Sequence, residues 1–119
     1  MFKKITAFVF TLLFSHAVLI QSVQAAPPKV VTSILPVHAL VLAVMGEIGA
    51  PQLLLDASSS PHAIAMKPSQ ARALENADLV FWIGPDLETA LAEPLNVLAN
   101  DAQVVSLMDA PGLDLLHAD

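Results

Sequence analysis

Leu79-Val80-Phe81-Trp82-Ile83 is an unbroken apolar run bounded by Asp78 and Gly84. A run of that length suits a strand covered on both faces, which is the environment of a parallel sheet. The segments around it alternate in pattern. Residues 30–34 are β-branched and read as a strand, closed by Pro36, which fits the first turn of a helix. Val37, Leu40, Val41, Val44 and Met45 then recur at helical spacing. His38 is the one polar side chain of that segment, so the pattern predicts a helix buried on more than one face, ending at Gly46 and Gly49. Residues 52–55 form a second strand candidate, and 56–67 a loop of small and polar residues. Pro68-Ser69-Gln70 opens a short helix with Ala71 and Leu74 inward and Asn76 at its C-terminal cap. After Gly84-Pro85, Asp86 is a candidate N-cap for a helix with the stripe Leu87, Ala90, Leu91, Leu95 and Leu98. Pro94 should kink or split that helix. Residues 103–107 are a fourth strand. This order predicts an α/β fold: a mainly parallel four-stranded sheet with flanking helices.

The first residues carry a different message. Met1-Phe2-Lys3-Lys4 is basic, residues 5–20 are mostly apolar, and Val23 and Ala25 are small residues suited to cleavage. That order is a secretory signal peptide over 1–25, and the apolar core is short for a membrane span. Residues 26–119 then form one small domain with three basic and eleven acidic residues, a formal charge of −8. Such a balance excludes nucleic acid and anionic lipid as partners, because both require a basic patch. No cysteine occurs, so disulfides and a lipid-attached signal are excluded. After signal cleavage no permanent membrane anchor is expected.

In an open parallel sheet, ligands sit beyond the carboxyl ends of the strands. Three segments fall there: the turn after the first strand (35–38), the loop 56–67 with His62, and the turn 84–88. Imidazole is a common zinc ligand, yet a zinc site needs about three or four protein ligands, and no HxxxH, HExxH or CxxC spacing is present. On residues alone, His62 reads either as a metal ligand or as a polar loop histidine. His38 is expected to hydrogen-bond a nearby backbone group. Asp86 and Glu88 read as helix caps, and Trp82 as core. Nucleophile-elbow, phosphate-loop and dinucleotide motifs are missing, so no enzyme activity is expected.

Several ordered motifs together carry a resemblance. These are Val31-Thr32-Ser33-Ile34-Leu35-Pro36-Val37-His38, Ser60-Pro61-His62, Lys67-Pro68-Ser69, and Ala77-Asp78-Leu79-Val80-Phe81-Trp82-Ile83-Gly84 with Leu87-Glu88. The chain from about residue 29 onward resembles the zinc/manganese solute-binding proteins of bacterial ABC transporters, above all the periplasmic zinc-uptake members. The resemblance implies two α/β lobes joined by a long helix, with one metal ion between them. It implies His62 as the first metal ligand, zinc as the transported ion (manganese in other members), and an inner-membrane ABC permease as partner. Only the first lobe is matched, so the expectation is an amino-terminal lobe over 26–119 with the second lobe absent. A manganese-binding member of the same family, a truncated, non-functional fragment and a metal-independent periplasmic interaction module are the rival readings. Leu116-His117-Ala118-Asp119 looks like the approach to the His- and Asp-rich loop of zinc-specific members. Ile64, Ala65 and Gln70 stand where the family motif has Tyr, a polar residue and Asp. These departures touch groups that orient metal ligands.

Overall fold

The computed structural model describes residues 25–56 and 65–114. The expected signal peptide, His62 and the segment 116–119 therefore lie outside the described residues, apart from Ala25. The elements are β1 (Val30–Thr32), α1 (Leu35–Met45), a 3-10 turn (Gly46–Ile48), β2 (Gln52–Leu53), α2 (Pro68–Glu75), β3 (Leu79–Trp82), α3 (Thr89–Leu98), β4 (Gln103–Ser106) and a last 3-10 turn (Leu107–Asp109). The strands form one sheet in the order β2-β1-β3-β4, and every pair is parallel. The expected α/β class and four parallel strands are thus present. The strand order was not among the sequence expectations.

Alternation along β1 and β3 divides the side chains between the two faces of the sheet. Val31, Val80 and Trp82 join Leu54, Leu55, Leu74, Ala77, Leu91, Leu95 and Ala99 in one core. This is the face covered by α2 and α3, through Leu74 and through Leu91 with Leu95. Trp82 belongs to this core, as its sequence context suggested. Val30 and Thr32 point to the other face, which α1 meets through Val37. Thr32 Oγ1 pairs with His38 Nδ1 at 3.0 Å, so the partner of His38 is a side-chain hydroxyl and not the backbone group expected.

Two helix expectations are corrected. α1 is not buried on more than one face: Val37 is its one buried residue, while Leu40 is 63% and Val44 86% exposed. A helix that is apolar all round carries no directional pattern of its own. Its burial is decided by its neighbours, and the described residues supply them on one side, at β1 and β2. Of the kink or split expected at Pro94, the split does not occur: α3 runs continuously from Thr89 to Leu98 with the proline inside it. Leu91 and Leu95, buried on either side of the proline, tie both halves to the core. The stripe also begins later than expected, because Leu87 lies in the preceding turn and is exposed. Among the described residues, no helix is long and apolar enough to cross a membrane.

These burial differences set the expected responses to substitution. Leu91→Ala, at a fully buried site, should destabilise the chain by about 2–5 kcal/mol. Val44→Ser, on the outer face of α1, should change stability by no more than about 0.5 kcal/mol. Urea unfolding of both variants checks this, and a large loss for Val44→Ser would show that the outer face of α1 is covered in solution.

Candidate functional site

The order β2-β1-β3-β4 places a topological switch point between β1 and β3, since successive connections leave the sheet in opposite directions there. The backbone separates at this point. β1 and β3 pair from Val30↔Leu79 to Thr32↔Phe81, and the Ser33 N–H donates to the Phe81 carbonyl at 3.0 Å. Continuing the parallel ladder would bring the Ile83 N–H to the Ser33 carbonyl. Instead the Ser33 carbonyl accepts from Leu55 N–H at 2.8 Å, on the β2 side. The Ile83 N–H donates to Glu88 Oε2 at 2.6 Å. β1 thus parts from β3 after one further bond, and a carboxylate occupies the split.

Glu88 is fully buried. It stands at the N-cap position of α3 but makes no side-chain capping bond there, contrary to the expected role. The carboxylate turns back to the end of β3, while the Glu88 N–H donates to the Gly84 carbonyl and its carbonyl accepts from Leu91 N–H. Asp86, the other expected cap, lies in the turn before the helix and is exposed. Gly84 permits the tight exit from β3. Its φ is +145°, and a Cβ there would stand 3.1 Å from both Met108 Sδ and Ser106 Oγ. On the β4 side, Met108 N–H and Ser106 Oγ–H both donate to the Ile83 carbonyl. An apolar groove of about 550 Å³ lies beside this edge, lined by Ile83, Asp86, Leu87, Leu107, Met108 and Leu113.

The loop carrying His62 is fixed at its stem. Gln70 Nε2 donates to the Leu54 carbonyl at 2.6 Å, and Gln70 Oε1 accepts from Lys67 N–H at 2.7 Å. One side chain therefore joins the end of β2 to the start of α2. Lys67 Nζ lies 3.9 Å from Asp56 Oδ2, with both side chains more than half exposed. That pair contributes at most about 1 kcal/mol. Aspartate, usual at position 70 in the motif, is shorter and when ionised only accepts. It could cap Lys67 N–H but could not donate to the Leu54 carbonyl. The departure at Gln70 thus has a definite structural role.

Among the described residues, no group of three His, Cys, Asp or Glu is placed to hold a metal ion. His38 is engaged with Thr32 on the α1 face of the sheet. The residue-by-residue reading missed the structural role of Glu88, which was taken as a cap and instead holds the Ile83 N–H. The signal available for Glu88 was its place directly after the turn that leaves the central strand.

The parallel α/β fold is shared with periplasmic metal-binding proteins of known structure. The metal-binding protein of Candidatus Liberibacter asiaticus superposes with a TM-score of 0.65 at 20% identity, over 76% of this chain and 34% of that one. The Zn(II)-bound ZnuA-like domain of Streptococcus pneumoniae AdcA gives 0.60 at 22% identity, over 71% of this chain and 34% of that chain. In sequence, the family profile described as zinc-uptake complex component A, periplasmic (ZnuA) matches residues 30–119. The high-affinity zinc uptake system protein ZnuA of Brucella abortus is 46% identical over 87 residues, which are 73% of this chain and 26% of that protein. The Paracoccus denitrificans protein of the same name is 42% identical over 88 residues, 74% of this chain and 27% of that protein. The chain belongs to the ZnuA family and spans about a quarter of the length of these relatives.

Gln70→Ala should destabilise the chain by about 1–3 kcal/mol, because the Leu54 carbonyl and Lys67 N–H both lose a partner. Gln70→Asp should recover part of that loss through the Lys67 N–H alone. Urea unfolding measures both, and a Gln70→Ala variant as stable as wild type would show that the bridge contributes nothing.

Proposed function

We propose that this chain is the amino-terminal lobe of a periplasmic zinc-binding protein that captures zinc and delivers it to an inner-membrane ABC permease. The observation that supports this reading is the stem of the segment 56–67, at Leu54–Asp56 and Lys67–Gln70. The segment leaves the carboxyl end of β2, and Gln70 ties its two ends together across the carboxyl edge of the sheet. This is where open parallel sheets bind ligands. His62 lies within that loop in the Ser60-Pro61-His62 motif. Relatives at 46% and 42% identity are named for high-affinity zinc uptake, which supports zinc as the cargo. The family description supports the periplasm as compartment, and the basic-apolar-small order of residues 1–25 supports export through a cleavable signal.

In this reading His62 gives zinc one neutral imidazole nitrogen, a donor that suits zinc better than manganese. Other protein groups complete the coordination, since a zinc site takes about three or four protein ligands. Capture and release involve no bond-making beyond coordination. The relatives are named for uptake and not for a catalysed reaction.

Calorimetric zinc titration of residues 26–119, beside His62→Ala, tests the ligand assignment. The substitution should weaken zinc binding by about a hundredfold or more, since a direct ligand counts for at least as much as the groups behind it, whose loss weakens binding about 10–100-fold. Equal zinc binding by the two proteins would sink the assignment.

A further inference from the structure

Residues 26–119 carry three basic side chains against eleven acidic ones. Two of the three, Lys29 and Arg72, line one groove of about 380 Å³. The groove lies between α2 and the amino ends of β1 and β2. Its helical wall is Ser69, Arg72, Ala73 and Asn76, which recur at the spacing of a single helix face. The facing wall includes Lys29, Val30 and Gln52. Ala73, small and central, leaves the space between the walls open. No acidic residue is part of the lining. In a chain so rich in carboxylates, a cavity lined by two cations and no acid favours an anion.

The donors on this groove have capacity left. Among the described residues, Lys67 pairs with Asp56, whereas neither Lys29 nor Arg72 has a salt-bridge partner. Arg72 Nε donates to the Pro68 carbonyl at 3.4 Å, which leaves its terminal NH₂ groups as donors. Asn76 Nδ2 directs one N–H to the Arg72 carbonyl at 2.7 Å and keeps a second. Asp78 accepts from the Lys29 backbone N–H at 2.6 Å and stands outside the lining. The backbone adds one more donor. The Ser33 N–H points to β3, so by alternation the Val30 N–H points to the β2 side. The β1–β2 ladder begins at Val31↔Gln52, so the Val30 N–H has no ladder partner there. Val30 is 5% exposed, and buried backbone N–H groups are normally paired.

We propose that this groove is a binding site for a small oxyanion of the phosphate type. The planar Arg72 guanidinium engages two phosphate oxygens side by side, and Lys29 supplies a second positive charge from the facing wall. The Val30 N–H, the Ser69 hydroxyl and the second Asn76 N–H serve the remaining oxygens. Two cations are too few for nucleic acid or a lipid surface, which take an extended basic patch. The ligand is therefore a small one. The groove starts at the amino ends of β1 and β2, whereas the loop 56–67 leaves the carboxyl end of β2. The site stands independently of the zinc reading, and neither depends on the other.

Titration of inorganic phosphate into the isotope-labelled purified chain, followed by amide NMR at constant ionic strength, tests the site. Saturable shifts should appear at Val30 and along 69–76, with sulfate competing and chloride not. Arg72→Gln and Lys29→Gln should each weaken phosphate binding about tenfold or more, since each removes hydrogen bonds to a charged group. Arg72→Lys keeps the charge but loses the fork, and should fall between wild type and Arg72→Gln. Lys67→Gln should bind as wild type does. Lys29, Lys67 and Arg72 are all exposed, so amide spectra away from the groove should be unchanged in every variant. A parallel titration with glycerol phosphate distinguishes the free ion from an esterified phosphate, and binding of either by these residues supports the site. Shifts that do not saturate, or that follow Lys67 as strongly as Lys29 and Arg72, would reduce the effect to charge screening and overturn the proposal. Equal phosphate binding by wild type, Arg72→Gln and Lys29→Gln would overturn it as well.

Discussion

The bond from Ile83 N–H to the Glu88 carboxylate is the constraint around which the carboxyl edge of this lobe is arranged. A parallel ladder left to itself would continue between Ser33 and Ile83 and close the gap between the central strands. Glu88 satisfies the freed N–H from within the chain, so β1 can turn toward β2 without leaving a buried donor unpaired. An unpaired backbone donor in that position would be costly. β1 and β3 therefore part where a side chain replaces one rung of the sheet. Gly84 is part of the same device, since its positive φ strains any side chain there and a Cβ would crowd Ser106 and Met108 at 3.1 Å where the chain turns from β3 toward Glu88.

Away from the crevice, the lobe is held by an asymmetric core. α2 and α3 close one face of the sheet with Leu74, Leu91 and Leu95, all but inaccessible to solvent. The opposite face meets α1 through Val37 and through the Thr32–His38 pair. The outer side of α1 presents Leu40, Val44 and, just beyond the helix, Ile48 to solvent. Hydrophobic composition thus set the amount of apolar surface without deciding which of it would be covered.

Family membership and the local geometry meet at the loop stem. The matched family profile runs from β1 through residue 119, and the solved relatives share the sheet that this chain builds. Within that frame the chain makes its own adjustment at Gln70, whose length and mixed donor–acceptor character let one residue bind both ends of the loop.

The elements and their order were legible from the sequence. The apolar run at 79–83, the β-branched residues near 30, and Pro36 and Pro68 at helix starts are local signals, and each corresponds to an element of the fold. Alternation of strand and helix was enough to imply parallel pairing. The exit of the chain from the carboxyl end of β2 toward Asp56 was also legible. The tertiary structure alone decided the strand order, the split between β1 and β3, the return of Glu88 to Ile83, the pairing of His38 with Thr32, and the open side of α1. The physical reason is common to all of them. Periodicity and turn chemistry report what a segment prefers within a few residues of itself. Hydrogen-bond partners and burial depend on which distant segments arrive beside it, and the sequence of one segment does not encode that arrival.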